Sequence, residues 1–189
     1  MIVLDLRDEA ARAPLDAGDT SDLTPEERAS ALGNWRDRMV SEHVSARVFA
    51  GLFDKLLRAG LPSRYLDLAR AAMDEERSHA VLCARALTAL GGEARAPLPD
   101  PLPRVVPHDD ADEIEAVLRD ALSIGACSET VAVALVGAER EQAATPDLRA
   151  AAMVRVRCRQ GPATGRVRGP DPGRTGCRRR DRPTSAPCR

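Results

Sequence analysis

Apolar residues recur at alternating spacings of four and three along two consecutive stretches of the chain, and this spacing predicts amphipathic helices. The first helix is predicted from Pro25 to Ala59, with Thr24 as its N-cap and Gly60 closing its far end. The second is predicted to begin near Ser63 and to end at Gly91-Gly92. Because the connection between them is short, the second helix is expected to lie antiparallel to the first.

The pattern after these two helices changes to a proline-rich stretch, 93–110, which predicts a long extended crossover. A third helix is predicted from about Ala111 to Ala144, and a fourth begins after Pro146 and loses its pattern within about ten residues. Two paired helices, a crossover and a third helix match the connectivity of ferritin-like bundles. The predicted fold class is therefore all-α: a ferritin-like antiparallel bundle with one long crossover, three long helices and a truncated fourth.

The sequence divides into three parts by composition. Residues 1–22 are acidic and rich in small residues, so we expect a poorly ordered lead-in with a short extended piece at Ile2–Leu6. Residues 23–157 form the predicted helical domain, and 158–189 form a predicted disordered tail rich in Arg, Pro and Gly. Aromatic residues make up only 2% of the chain, which favours closely packed helices over a sheet.

The cellular location of the protein and the state of its cysteines are predicted from features that the sequence lacks. Its start carries acids almost at once and has too short an apolar run for a signal peptide, and no run approaches 18 apolar residues. We therefore expect a cytoplasmic protein without a membrane span. Five cysteines, an odd number in a chain without an export signal, argue against a disulfide framework.

In each predicted helix the residues at this four-and-three spacing form an inward-facing row, which we call its seam. Each of the three seams carries one glutamate near its middle. In the first helix the inward positions are Trp35, Met39, Glu42, Ala46, Phe49, Phe53 and Leu56. In the second they are Leu66, Ala69, Met73, Glu76, Ala80, Cys83 and Leu87, with His79 on the same turn as Glu76. In the third they are Ile114, Leu118, Ala121, Gly125, Glu129, Ala132 and Val136.

A bound cation explains why three carboxylates share one interior. Burying an unpaired carboxylate costs several kcal/mol, so three of them need a metal ion or protonation. Carboxylate-bridged di-metal bundles use one Glu from each of two helices and a Glu-x-x-His pair from each of the other two. Glu42 and Glu129 match the single glutamates, and Glu76 with His79 matches one pair. One alternative is that Glu75 and Glu76 are solvated and His79 is a surface residue. Another is that Glu42 and Glu129 line a water-filled slot or form salt bridges. The chain would then be a non-catalytic helical scaffold or interaction protein without metal.

The remaining histidines and cysteines of the helical domain receive lesser roles. His43 follows Glu42 and is turned about 100° from it around the helix, so it is predicted beside the ligands or at the surface. His108 lies in the crossover and has no predicted role. Cys83 and Cys127 are predicted to be small core residues rather than ligands.

Residues 24–154 resemble bacterial ferritin-like domain proteins, relatives in fold of the rubrerythrins and ferritins. The resemblance is carried by WRDRMVSEHVSARVFAGL, DEERSHAVLCARAL and CSETVAVALVGAERE. It implies a four-helix bundle with a non-haem di-iron or related site, and oxygen or peroxide chemistry. It implies iron, with manganese as the other candidate, and a di-iron oxidoreductase in a form that keeps all four helices.

The C-terminal part of the chain departs from that family pattern. The family requires a second Glu-x-x-His on its fourth helix, but no histidine follows His108. Residues 155–189 instead hold 11 arginines against 2 aspartates, a net charge of +9. One interpretation is a basic tail that binds nucleic acid through charge alone. We prefer a frameshift near codons 154–158 of a GC-rich gene, which would replace the fourth helix.

A lost fourth helix has chemical and structural consequences. Glu42, Glu76, His79 and Glu129 leave a di-iron site two ligands short, so low metal occupancy is expected. The groove left by the helix would expose apolar surface. We therefore expect a homodimer through this groove, poor stability or a non-functional product, and no membrane partner.

Overall fold

The computed structural model describes residues 1–21 and 23–142, except for several side chains between 128 and 142. The described part is mostly helical, which agrees with the all-α class expected from the sequence. Its elements, in chain order, are β1 (Val3–Asp5), α1 (Arg7–Ala11), α2 (Pro25–Arg58), α3 (Ser63–Ala89), β2 (Arg95–Pro97), α4 (Glu113–Asp120), a π-helical segment (Ala121–Ser128) and α5 (Glu129–Gln142).

Helix α2 begins with the cap that the sequence predicts. The Glu27 backbone N–H donates to the Thr24 hydroxyl at 3.2 Å, and the Thr24 backbone N–H donates to the Glu27 carboxylate at 2.9 Å. Pro25 occupies the first helical turn, where it has no N–H to leave unpaired. At the other end Gly60 adopts a φ of +64°, a left-handed conformation that favours glycine. The helix is thus defined at both ends by local chemistry.

Helices α2 and α3 form a hairpin with two separate hydrophobic clusters. The first cluster lies near the open end and includes Trp35, Met39, Cys83 and Leu87. The second lies near the connecting turn and includes Phe49, Leu52, Leu56, Ala69 and Val117. The polar residues of the candidate site lie on the stretch of hairpin between the two clusters.

The N-terminal residues contribute more structure than the sequence led us to expect. Strand β1 pairs antiparallel with β2, with Leu4 opposite Ala96, and α1 packs against α3. Leu4, Ala10 and Ala17 are buried in the cluster at the open end of the hairpin. Residues 1–21 thus contain a strand, a short helix and three buried apolar side chains, and the predicted domain boundaries stay a prediction.

The third helical stretch is rotated relative to its predicted seam. Asp112 caps α4 by accepting from the Glu115 N–H at 2.8 Å. The predicted inward residues Ile114 and Leu118 are 54% and 58% exposed, so this part of the seam prediction is wrong. Val117 and Asp120 are buried instead. The physical reason is that Asp120 pairs with groups on α2 and the crossover, which turns that face inward.

Other described seam positions of this stretch, Ala121 and Gly125, are exposed as well. Cys127 is exposed too, so its prediction as a core residue is wrong, whereas Cys83 is buried as predicted. Leu122 is exposed on the same stretch as Ile114 and Leu118. This apolar surface suits the predicted homodimer, which stays a prediction.

Two predictions fall outside the described residues. The truncated fourth helix after Pro146 lies there, and so does the Arg-rich tail at 158–189 with its frameshift interpretation. Along residues 1–21 and 23–142, no helix combines the length and the apolar character that crossing a membrane requires.

Candidate metal centre

Two helices bring the three candidate ligands together. Glu42 lies on the inner seam of α2, one turn from the buried Met39 and one turn from the buried Ala46. Glu76 and His79 lie three residues apart on α3, so that both side chains leave the helix on the same face. Because the hairpin is antiparallel and its seams face each other, the middle of one helix meets the middle of the other.

All three side chains are removed from solvent. Their exposed fractions are 1% for Glu42, 3% for Glu76 and 4% for His79. The Nδ1 atom of His79 lies 3.6 Å from Oε2 of Glu42 and 3.9 Å from Oε2 of Glu76. One ligand atom from each residue lies within 4.8 Å of the other two. The alternative of solvated Glu76 and His79 does not describe this arrangement.

These separations are close to those of a metal-ligand set. A metal bound about 2.1 Å from each ligand atom places tetrahedral ligands about 3.4 Å apart. The two distances from His79 Nδ1, 3.6 and 3.9 Å, need only a small contraction to reach that geometry.

The chemistry of the donors selects a class of ion. Two carboxylates and one imidazole suit Fe(II), Mn(II) and Zn(II), whereas Ca²⁺ prefers oxygen ligands alone. Three protein ligands also leave coordination positions open, as catalytic rather than structural sites do. A group of this composition could hold one divalent ion.

The apolar surroundings of the cluster would strengthen the attraction between a cation and the two carboxylates. Ala80 and Cys83 are buried on the same helix as His79, and the two hydrophobic clusters of the hairpin lie on either side. In such apolar surroundings an ion interacts with carboxylates more strongly than it would in water. Buried carboxylates without a cation are correspondingly costly.

The fourth predicted ligand, Glu129, begins α5, and its side chain lies outside the described residues. The cluster as described therefore holds Glu42, Glu76 and His79. Glu129 stays a prediction.

A second polar network was missed by the sequence analysis. Asp120 is buried and accepts from Lys55 Nζ at 2.6 Å, and its other oxygen lies 2.8 Å from His108 Nε2. Lys55 also donates to the Val106 carbonyl oxygen at 2.7 Å. This network ties α2, the crossover and α4 together, which gives His108 a structural role. The sequence signal was weak: Asp120 lies one residue from the predicted seam position Ala121.

His43 is half-buried and lines a cleft together with Arg47 and Arg77. Burial lowers the pKa of its imidazole, and the nearby guanidinium groups of Arg47 and Arg77 lower it further. Among the described residues, the group whose ligand atoms come together is Glu42, Glu76 and His79, without His43.

No protein-family model, curated protein or solved structure matches this chain.

Proposed function

We propose that this chain is a metal-binding helical protein of ferritin-like connectivity, with Glu42, Glu76 and His79 as ligands. One observation carries the proposal: two carboxylates and an imidazole from two helices, all nearly inaccessible to solvent, lie within ligand distance of one another. Neither helix alone offers more than two of these groups. The three groups come together because α2 and α3 pack against each other.

Iron or manganese is the proposed ion. The oxygen-rich donor set with one imidazole supports either, and the sequence resemblance favours iron. We propose low occupancy for this chain, because three ligands hold an ion less tightly than a complete di-iron set. Glu129 is the proposed fourth ligand, and a fuller set would require a Glu-x-x-His pair on a fourth helix.

The chain would position and shield the ion. A bound iron supplies one-electron redox chemistry toward oxygen or peroxide. Glu42 and Glu76 balance the charge of the ion, and His79 provides a neutral nitrogen ligand. The hydrophobic clusters on both sides of the ligands limit the entry of water. A di-iron oxidoreductase in a form with a complete fourth helix is the activity that this arrangement would support.

A metal-free structural role is the second candidate. The 3.6 Å approach of His79 Nδ1 to Glu42 Oε2 crosses from α3 to α2. A protonated imidazole between two carboxylates would hold the two helices together without an ion. In this case the cluster would be a polar contact that fixes the register of the hairpin.

Metal analysis distinguishes the two candidates. The full chain is expressed in medium containing iron, manganese and zinc, gel-filtered and analysed by inductively coupled plasma mass spectrometry. We expect substoichiometric iron or manganese in the wild type and a loss of at least tenfold in Glu76→Gln and in the double variant Glu76→Ala/His79→Ala. Glu75→Gln is the matched control, because it removes the neighbouring carboxylate and leaves the cluster intact. Equal metal content in wild type and Glu76→Gln would reject the metal site.

Thermal unfolding of the metal-free protein gives an independent measurement. Glu42→Gln removes a charge that is costly to bury without a cation, so the metal-free melting temperature is expected to rise or stay unchanged. Added Mn(II) is expected to raise the melting temperature of the wild type and not that of Glu42→Gln. The metal-free structural role predicts the opposite: Glu42→Gln melts lower, and Mn(II) has no effect on either protein.

A further inference from the structure

A cleft with basic walls lies beside the ligand cluster. It has a volume of about 520 Å³ and is formed by α2, by Arg77 of α3 and by the crossover at Pro103–Val105. Pockets of this size accommodate small organic molecules. Its walls are contributed by three separate parts of the chain, so its shape depends on the tertiary fold.

The charges on the cleft walls are predominantly positive. Arg47 comes from α2, Arg77 from α3 and Arg104 from the crossover, and Asp54 is the carboxylate among the lining residues. Three guanidinium groups against one carboxylate leave a formal charge of +2 when His43 is neutral. Arg77 has a partner in Asp74 at 3.2 Å, but both side chains are more than half exposed, so this pair holds it weakly.

The imidazole of His43 lines the same cleft as Arg47 and Arg77. Arginine is the side chain best suited to carboxylates and phosphates, because its planar fork donates two parallel hydrogen bonds. A concave site with several such groups attracts anions.

The cleft and the ligand cluster share the same stretch of the hairpin. In each helix the residue after a buried glutamate lines the cleft: His43 follows Glu42, and Arg77 follows Glu76. Successive residues of a helix point about 100° apart, so the glutamates face the interior while their neighbours face the cleft. Ala46, buried one turn after Glu42, also lines it.

We propose that this cleft binds a small organic anion, with its phosphate or carboxylate group on Arg47, Arg77 and Arg104. The carbon part of the molecule would lie against the apolar wall formed by Ala50 and Val105. The site goes beyond the metal centre and does not require a bound ion. The anion titration and the metal analysis therefore test the two proposals independently.

Gly51 sets the width of the cleft. A Cβ atom at this position would lie 2.8 Å from Cγ2 of Val105, a contact too short to exist without movement. The crossover thus approaches α2 as closely as a glycine permits. Gly51→Ala should displace Val105 and change the shape of the cleft without changing its charge.

The test uses the histidine signals of the full chain. With only three histidines in the sequence, the ring C–H resonances are few, and His43→Gln and His108→Gln assign them. Metal is removed with a chelating resin, since soluble chelators are anions themselves. Inorganic phosphate and succinate are titrated separately at constant pH and ionic strength. We expect a saturable shift of the His43 resonance with at least one probe and a much smaller shift of His108.

Variants decide whether the arginines carry the binding. The double variant Arg47→Gln/Arg104→Gln should weaken the affinity at least tenfold, and Gly51→Ala should weaken it severalfold. Arg64→Gln, which removes an exposed charge near the start of α3, is the control and should change the affinity less than twofold. Circular dichroism verifies that each variant is folded. Because the variants alter exposed positions or one helical glycine, we expect helical spectra.

The probes also identify the anionic group. Saturation with phosphate alone indicates a phosphorylated ligand, and saturation with succinate alone indicates a dicarboxylate; both support the site. No saturable shift of His43 with either probe would overturn the proposal. Equal weakening by Arg64→Gln and by the double variant would also overturn it, because the effect would then be one of overall charge, including that of the 11 arginines after residue 154.

Discussion

The α2–α3 hairpin and the stretch from α4 to α5 are both helical, yet they are stabilised differently. The hairpin buries residues along most of its length, from Trp35 to Leu56 on α2 and from Ala69 to Leu87 on α3. In α4 the buried residues are Val117 and Asp120, while Ile114 and Leu118 face solvent. Hydrophobic contacts thus run along the hairpin, whereas α4 joins it through Val117 and a polar network. The comparison predicts different responses to the same substitutions.

Matched leucine substitutions should show the largest difference. Leu87 is fully buried in the hairpin, and Leu118 is largely exposed on α4. Leu87→Ala is expected to lower the free energy of unfolding by about 2–5 kcal/mol, because it removes buried methyl groups and leaves a cavity. Leu118→Ala is expected to change it by less than about 0.5 kcal/mol. Urea denaturation followed by circular dichroism measures both.

Equal losses in the two leucine variants would contradict the comparison. They would mean that Leu118 packs against another part of the chain or against a second copy. Sedimentation at several protein concentrations separates these two explanations.

Removing the polar network should have an intermediate effect. Asp120→Ala leaves Lys55 and His108 without their shared carboxylate, and both lie in partly buried positions. We expect a loss of about 2 kcal/mol, less than the roughly 3–5 kcal/mol found when a fully buried pair is broken. Hydrogen exchange of the α4 amides should increase, while that of the α2 and α3 amides changes little.

Asp110→Ala is the control for this network. Asp110 pairs with Arg119 at 2.9 Å, but both side chains are largely exposed, so the expected change is within about 0.5 kcal/mol. A control that destabilises as much as Asp120→Ala would show that burial of Asp120 does not matter.

The smallest predicted effect concerns two glycines of α2. A Cβ atom added at Gly33 meets nothing within 4 Å, so Gly33→Ala should raise the free energy of unfolding by about 0.5–1 kcal/mol. The Cβ atom added by Gly51→Ala would meet Val105, so this variant should not show the stabilisation expected for Gly33→Ala. Thermal unfolding of both variants, followed at 222 nm, compares them directly. Equal stabilisation would indicate that the crossover moves away without cost.

Local signals in the sequence were sufficient for the hairpin. Thr24, Glu27 and Gly60 defined the ends of α2, and the alternating spacing placed Glu42 and Glu76 on inward faces. The Glu-x-x-His spacing brought His79 to the same face as Glu76, since residues i and i+3 are neighbours on a helix. These features depend on contacts within a few turns, which a single sequence contains.

The orientation of α4 could not be read from apolar spacing. Ile114 and Leu118 looked like seam residues, but the helix turns Asp120 inward to meet Lys55 and His108, which lie 65 and 12 residues away in sequence. Likewise, β1 depends on β2, more than 90 residues later. Long-range partners of this kind are invisible to a periodicity argument.

The polar residues in the middle of the hairpin separate its two hydrophobic clusters. If an ion binds these polar residues as proposed, removing transition metals should loosen the hairpin and increase cleavage of the chain by proteases.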